Sequence, residues 1–477
     1  MTQSQAVEDL GVQDRETADP TGGANAEGLQ RRLKKSMMVG WGLGSVAPGM
    51  IIGLANALQL RFITDFVGIS AGVASTILVL SKLYDAFADP TMGWLSDRTQ
   101  SRWGRRRPYL LLGGILLPVA MVLMFTLPPF DSTVLRIGFT FVVALLFTTA
   151  YTIFNIPYIA MPAEMSFHRK ERTELISYRV YAIGISQMLA QFCGSALVQK
   201  MGGTGIAYTK MALILAPITL VCSLLCFRMT RGVPATVRVR SKVTIGVQIR
   251  SAIGNRPYLV LLVAKLFTLM TLASSAVLPF FFGNVLGKDM VVLGSYFALL
   301  AGSFVISQPL WVWVSNRWSK ATTYRAAVLI AIPFYLTWLW AAHGEPLSLI
   351  YARAFIIGFL AGGALLAGQA LLPDTIEYDY LVSGLRREGI FAGFYTTMEK
   401  VSGAVGIGIV GVLLSHAGYV ASRGAAVVQP HSALIAIRYI VAVLPAVLSL
   451  LCFLVLLFYN LTDEKINDLR RGVVGSR

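Results

Sequence analysis

The chain alternates between apolar runs of membrane-spanning length and short polar connectors. The runs are bounded by charged residues, Pro or Gly, and most reach the roughly 20 residues that cross a bilayer as a helix. The pattern predicts an all-α integral membrane protein. Its twelve transmembrane helices are expected near residues 36–62, 66–96, 108–127, 133–161, 173–199, 208–229, 257–283, 290–316, 322–342, 347–372, 389–418 and 432–461.

The connectors divide these helices into two sets of six. The longest connector, 230–256, is basic and contains no acidic residue. Two bundles joined by such a linker are typical of transporters in which one half rocks against the other. The predicted division is a disordered cytoplasmic tail at 1–35, a first bundle at 36–229, a cytoplasmic linker at 230–256, a second bundle at 257–461 and a cytoplasmic tail at 462–477.

Basic residues concentrate in alternate connectors. They precede the first helix and follow the second, fourth and sixth, whereas the other connectors are short and poor in Lys and Arg. The positive-inside rule then places both termini in the cytoplasm. We expect a multi-pass protein of the cell membrane, the inner membrane if the source is Gram-negative, with lipid around it.

Composition narrows the functional class. The chain is 55% hydrophobic and 14% charged, and its net charge is +17. Because the basic residues lie in connectors, membrane topology explains them without a nucleic-acid partner. The four Cys lie in apolar runs, and the four His form no cluster. No metal or cofactor site, Walker loop or Gly-x-Ser-x-Gly elbow is predicted, so an integral-membrane enzyme is only the alternative from another class.

The second helix carries charges where a membrane helix should have none. Asp85 and Asp89 are four residues apart and share a face with Lys82, one turn earlier. Two carboxylates in a low dielectric stay ionised only beside a countercharge, so this face is expected to hold a proton, a metal cation or the lysine ammonium. We interpret it as a coupling-cation site. The alternative is a pair at a helix end, exposed to cytoplasmic water.

Helix four presents uncharged oxygens in its apolar run. Tyr151, Thr152 and Asn155 can complete a cation shell or bind a hydroxylated solute. Their alternative role is hydrogen bonding between helices.

Further charges lie in the later helices. Arg179 is in helix five, and Glu399 and Lys400 are adjacent in helix eleven, about 100 degrees apart around the axis. Those two need not pair with each other, and one can face the cavity. Lys265 and Arg353 are expected to extend towards an interface.

Charges also cluster where helix two leaves the membrane. Asp97, Arg105, Arg106 and, beyond helix four, Glu164 are predicted to form a conformational latch. Topology alone is the alternative explanation for the arginines.

Three segments carry a resemblance to a known family. They are Tyr84–Trp94 with its continuation to Pro108, Tyr151–Tyr158 leading to Glu164, and Asp374 through Gly389 to Lys400. Together they resemble the glycoside-pentoside-hexuronide:cation symporters of the major facilitator superfamily, of which melibiose permease is a member. The resemblance implies the major facilitator fold of two six-helix bundles and covers all twelve helices.

The resemblance also implies roles for single residues. Asp85 and Asp89 belong to the cation site, with Thr152 assisting. The residues implied to contact the substrate or couple it to the cation are Lys82, Asn155, Arg179, Tyr395, Thr396 and Lys400.

The sequence departs from melibiose permease at several of its motif positions. Ala47 and Asn155 stand where that protein has sugar-binding Asp residues, Ala88 stands for an Asn, and Ile159 stands for a Trp. Because Ala88 removes an expected sodium ligand, the coupling cation is expected to be a proton and not sodium.

The sequence as a whole predicts a secondary active transporter. It would carry a sugar, glycoside or uronide together with a cation by alternating access. A lysolipid or other amphiphile carrier on the same scaffold is the alternative. The sequence leaves the solute, the direction of transport and the oligomeric state open, and a monomer is compatible with it.

Overall fold

The computed structural model describes residues 33–165, 169–232, 254–383, 388–421, 423–424, 427–462, 465–466 and 468–469. Throughout these residues the regular elements are helical. Nearly all of the predicted N-terminal tail, most of the linker and most of the C-terminal tail lie outside this range, so the predicted domain boundaries stay predictions.

The first half of the chain forms six long helices. α1 begins with two segments, Lys35–Leu43 and Val46–Leu54, and continues through π-helical stretches at Ala55–Gln59 and Phe62–Phe66. The others are α2 (Ala71–Arg98), α3 (Arg107–Met124), α4 (Thr133–Ala160), α5 (Arg169–Lys200) and α6 (Gly205–Met229).

The second half repeats this layout. α7 begins at Arg256–Met270 and continues through a 3-10 stretch at Thr271–Val277, Leu278–Phe280 and a π-helical stretch at Phe281–Leu286. α9 is Lys320–Leu336 with a 3-10 extension at Thr337–Trp340. The others are α8 (Met290–Arg317), α10 (Leu347–Ser383), α11 (Glu388–His416) and α12 (His431–Leu456).

The twelve predicted helices are confirmed. Eleven are long and apolar enough to cross a membrane, and α9, with 17 residues, completes its length through its 3-10 extension. Some predicted ends were wrong. α10 continues past 372 to Ser383, because the polar residues of its last turns, which the hydropathy pattern assigned to a connector, remain helical. α12 ends at Leu456 instead of 461.

The two halves pack in the same way. Within the first, α1 packs against α5 and α6, α3 against α4 and α6, and α2 against α4. Adding six to each number gives contacts of the second half: α7 with α11 and α12, α9 with α10 and α12, and α8 with α10. The molecule is therefore two equivalent six-helix bundles, the architecture of transporters built from repeats.

The bundles meet mainly along two antiparallel helix pairs, α2 with α11 and α5 with α8. We call the surface where α1 begins and α12 ends the terminal face, and the other surface, with the α1–α2 and α11–α12 connections, the opposite face. The later parts of α1 and α7, which approach the opposite face, also contact each other. The bundles are thus closed against each other towards the opposite face.

Small residues allow α2 and α11 to approach closely. A Cβ on Gly411 would overlap the Ser75 side chain, and one on Gly72 would meet Ser415. We call these four residues the glycine seam. Close approach through small residues is a common way for membrane helices to associate, because lipid gives no hydrophobic drive for it.

Candidate functional site

The two predicted carboxylates lie together halfway along α2. Thr152 on α4 donates its hydroxyl to Asp89 Oδ1 at 2.9 Å and lies 3.3 Å from Asp85 Oδ1. Asp85 is 5% exposed. The hydroxyl therefore joins both carboxylates, and the structure gathers Asp85, Asp89 and Thr152 into one polar cluster between α2 and α4.

Two lysines neutralise this cluster from different sides. Lys82 Nζ lies 3.8 Å from Asp85 Oδ2 and is half exposed. Lys400 reaches from α11 of the second bundle and forms an ion pair with Asp89 Oδ2. The chain positions of Asp89 and Lys400 are 311 residues apart, so folding makes this pair. It bridges the two bundles at the predicted cation site.

Three predicted substrate residues of the first bundle lie nearby. Tyr151 directly precedes Thr152 on α4, and Arg179 lies on α5. Arg179 Nε is buried and has no hydrogen-bond partner among the described residues. Asn155 is buried, 9% exposed, one turn beyond Tyr151 on α4. Tyr151 and Arg179 could thus offer a donor and a positive charge to a solute.

The two predicted α11 residues one turn before Lys400 have different surroundings. Thr396 is exposed, and its hydroxyl donates to the Gly393 carbonyl of its own helix. Tyr395 is 6% exposed, and its hydroxyl donates to the Gly368 carbonyl on α10 at 3.0 Å. Tyr395 therefore ties α11 to α10 and supports its own bundle from inside.

Lys265 does not extend to an interface, and that expectation was wrong. Its ammonium lies 2.7 Å from Glu399 Oε1 and 2.8 Å from the Tyr395 carbonyl, with its side chain 5% exposed. An isolated lysine in an apolar run looks the same whichever way it points, and only the fold brings Glu399 beside it. Arg353, by contrast, pairs with Glu345 near the opposite face.

Three of the predicted latch residues lie together where α2 ends at the terminal face. Arg106 Nη2 is 3.2 Å from Asp97 Oδ1, and an Arg105 guanidinium nitrogen lies 3.4 Å from the Asp97 carbonyl. The Glu164 side chain lies outside the described residues. Sequence reasoning missed a related pair in the second bundle, where Lys320 at the start of α9 binds Asp374 on α10 at 2.6 Å. The latch role itself stays a prediction.

Sequence reasoning also missed a network at the opposite face. Tyr419, after α11, donates to Asp65 Oδ1 at 2.8 Å, and Asp65 Oδ2 lies 3.3 Å from Arg61. Arg61 also contacts Met290 at the start of α8. Burial and the Asp65 charge both raise the pKa of Tyr419, so it stays a protonated donor. This network joins the bundles. The sequence did not reveal it, because its residues are far apart along the chain.

Two equivalent bundles that meet around buried carboxylates and a bridging lysine define a secondary transporter of the major facilitator type. Over residues 40–463 the chain matches the family described as MFS/sugar transport protein. The chain belongs to this family, and its membership of the glycoside-pentoside-hexuronide:cation symporters is confirmed. The alternative of an enzyme was wrong, because the relatives are transporters.

Curated relatives agree with this assignment. The chain is 28% identical to a putative glycoside/cation symporter, YagG, of Escherichia coli, covering 92% of this chain and 95% of that one. It is 27% identical to a glucuronide carrier protein homolog of Escherichia coli, and the match covers 92% of this chain and 96% of that one.

A more distant relative is named for a different kind of solute. The chain is 25% identical to a sodium-dependent lysophosphatidylcholine symporter of Danio rerio, covering 88% of this chain and 84% of that one. A solved structure shares the fold. It is a bacterial homolog of the lysosomal transporter Spinster in an inward-facing and unoccupied conformation, with a TM-score of 0.64 and 14% identity, and the match covers 89% of this chain and 96% of that one.

Proposed function

We propose that the chain carries a sugar, glycoside or uronide across the cell membrane together with a cation that binds at Asp85 and Asp89. The observation that best supports this proposal is the ion pair between Asp89 and Lys400, which joins the two bundles at the proposed cation site. A cation on the carboxylates competes with the lysine for the same oxygens. Cation binding therefore releases a bridge between the bundles, which couples occupancy to rocking.

A proton suits this cluster better than sodium. The side-chain oxygens gathered there come from Asp85, Asp89 and Thr152, and the Lys400 ammonium already occupies one carboxylate. A metal cation needs a shell of several oxygens, whereas a proton needs one carboxylate. Protonation of Asp89 would free the lysine without any further ligand.

The solute would lie beside the cluster, between the bundles. Tyr151 adjoins Thr152 on α4, and Arg179 Nε on α5 has no hydrogen-bond partner among the residues that the structure describes. A guanidinium there can donate to a ring hydroxyl or to a uronide carboxylate. With the termini in the cytoplasm, the closure at the opposite face leaves this site on the cytoplasmic side of the closed contacts.

The test is uptake into proteoliposomes of radiolabelled methyl β-glucoside and methyl β-glucuronide, driven by an imposed pH or sodium gradient. Asp85→Asn and Asp89→Asn should each lower gradient-driven uptake by about 10- to 100-fold, the worth of a charge-assisted hydrogen bond. Asp131→Asn should leave uptake unchanged, because the pair of Asp131 with Arg423 is 4.0 Å long and exposed, and such pairs contribute little. The coupling role is wrong if both site variants keep wild-type uptake, and the proton is wrong if only sodium drives it.

One observation favours a second candidate, an amphiphile carrier. An apolar groove runs along α2 and α11 next to the cation site, lined by Val79, Leu83, Val401 and Val405 among others. Such a groove suits an acyl chain, and one relative is named for lysophosphatidylcholine. Competition of lysophosphatidylcholine against methyl β-glucuronide in the same uptake assay separates the two candidates.

A further inference from the structure

The second bundle holds a carboxylate that the cation site does not use. Glu399 on α11 is bound through Oε1 to the ammonium of Lys265 on α7. That ammonium also lies over the Tyr395 ring, 3.0 Å from its centroid, and bonds the Tyr395 carbonyl. The lysine side chain is 5% exposed, whereas that of Glu399 is 50% exposed. The pair is thus anchored at its cationic end and open at its anionic end.

The open end points into the space between the bundles. Val401 and Val405 line the apolar groove along α2 and α11, and Glu399, two residues before Val401, is about 200 degrees away around the helix. Lys400, the next residue on α11, forms an ion pair with Asp89 of the first bundle, so Glu399 adjoins the residue that crosses between the bundles. Glu399 therefore lies on the side of α11 turned away from that groove, beside the crossing lysine, where a solute would lie between the bundles.

Few other carboxylates are available to a solute there. The helices α3, α4, α6, α7, α8, α9 and α12 contain no Asp or Glu. α1 contains only Asp65, near the opposite face, and the third acidic residue of α2 is Asp97, near the terminal face. The acidic residues of α5 lie in its first two turns, and those of α10 in its last turns near the terminal face. Asp85 and Asp89 are engaged by Thr152 and the two lysines. Glu399 is left as the acidic group of this region outside the coupling cluster.

We infer that Glu399 is a specificity-determining residue that accepts hydrogen bonds from the hydroxyls of the solute, and that Lys265 is its positioning residue. The inference rests on the proposed function. An ionised carboxylate accepts stronger hydrogen bonds from hydroxyls than a neutral oxygen does. Lys265 holds Glu399 through Oε1, which leaves Oε2 for the solute. The first bundle then supplies the coupling carboxylates, and the second supplies the hydroxyl acceptor.

The experiment uses the full chain in nanodiscs and measures thermal stability and the binding of methyl β-glucoside and methyl β-glucuronide. Glu399→Gln should weaken binding about 10-fold or more, with the coupling-cation dependence of binding unchanged. Lys265→Met should weaken binding and lower the melting temperature, and Lys265→Arg should keep more affinity. Glu345→Gln, which breaks the ion pair of similar length to Arg353 outside this region, should lower stability only.

The double variant Lys265→Met with Glu399→Gln decides between recognition and structure. Removing both charges leaves no unpaired ion, so the melting temperature should recover while the affinity stays low. Recovery of both would make the pair structural and overturn the inference, as would wild-type affinity in Glu399→Gln. Failure of the wild-type chain to bind either glycoside would instead overturn the proposed function, and this inference with it.

Discussion

The two bundles share one packing pattern but divide the chemistry unequally. α2 of the first bundle carries Lys82, Asp85 and Asp89 near its middle. Its counterpart in the second bundle, α8, has no charged residue before Arg317 at its end. The second bundle instead presents Lys400 and the Glu399–Lys265 pair from α11 and α7. Repetition of the fold has therefore kept the helix contacts and left the charges free to differ.

This difference teaches where coupling can come from. A cation site confined to one bundle gives no reason for two bundles to move relative to each other. The ion pair of Asp89 with Lys400 supplies that reason, because its partners belong to different bundles. Ion pairs within one bundle, such as that of Lys320 with Asp374, should stabilise that bundle, and cation binding should not change them.

The largest effect is expected from Lys400→Met. It removes the bridge between the bundles and leaves Asp89 without its countercharge, so gradient-driven uptake should fall by about 100-fold or more. Lys320→Met breaks an ion pair inside the second bundle and should lower stability while keeping the coupling ratio of solute to cation. Uptake with wild-type coupling in Lys400→Met would show that the bridge between bundles is dispensable.

An intermediate effect is expected from Thr152→Val. The change keeps the shape but removes the hydroxyl that joins Asp85 and Asp89, and a hydrogen bond to a charged group contributes about 1.5 to 3 kcal/mol. The cation concentration for half-maximal uptake should rise roughly 10-fold. Thr149→Val, one turn earlier and bonded to Tyr84, is the matched control. Equal shifts in both variants would remove Thr152 from the site.

The smallest effect is expected at the opposite face. Tyr419→Phe deletes one hydrogen bond between the bundles. Asp65 keeps its bonds to Arg61 and Thr64, so the loss should be only about 1 kcal/mol and the open population there should rise about fivefold. Distances between spin labels at Ser132 and Val428 measure this population. Tyr439→Phe, at a half-exposed position on α12, should leave the distances unchanged. If the distance distributions of Tyr419→Phe and wild type are identical, other contacts hold the bundles closed at the opposite face.

Local periodicity carried the sequence-based predictions furthest. Asp85 and Asp89 were found because a spacing of four in an apolar helix is visible in one segment, and the connectors gave the two bundles. Contacts between distant segments were not visible. The partners of Lys265 and Lys400 lie 134 and 311 residues away, and Tyr419 meets Asp65 across 354 residues. Tyr395 was predicted to contact solute, but only the fold shows that its hydroxyl is used by α10.

The glycine seam has a consequence for leakage. Contacts between Gly72 and Ser415 and between Ser75 and Gly411 bring two backbones together with no long side chain between them. Dispersion attraction at such contacts loses about a quarter to a half of its strength when a gap of about 0.5 to 1 Å opens. The seam is therefore either shut or fully parted, with no half-open state of comparable stability. In the alternating-access cycle proposed above, such a closure would deny water and ions a continuous path through the membrane while the site is open on the other side.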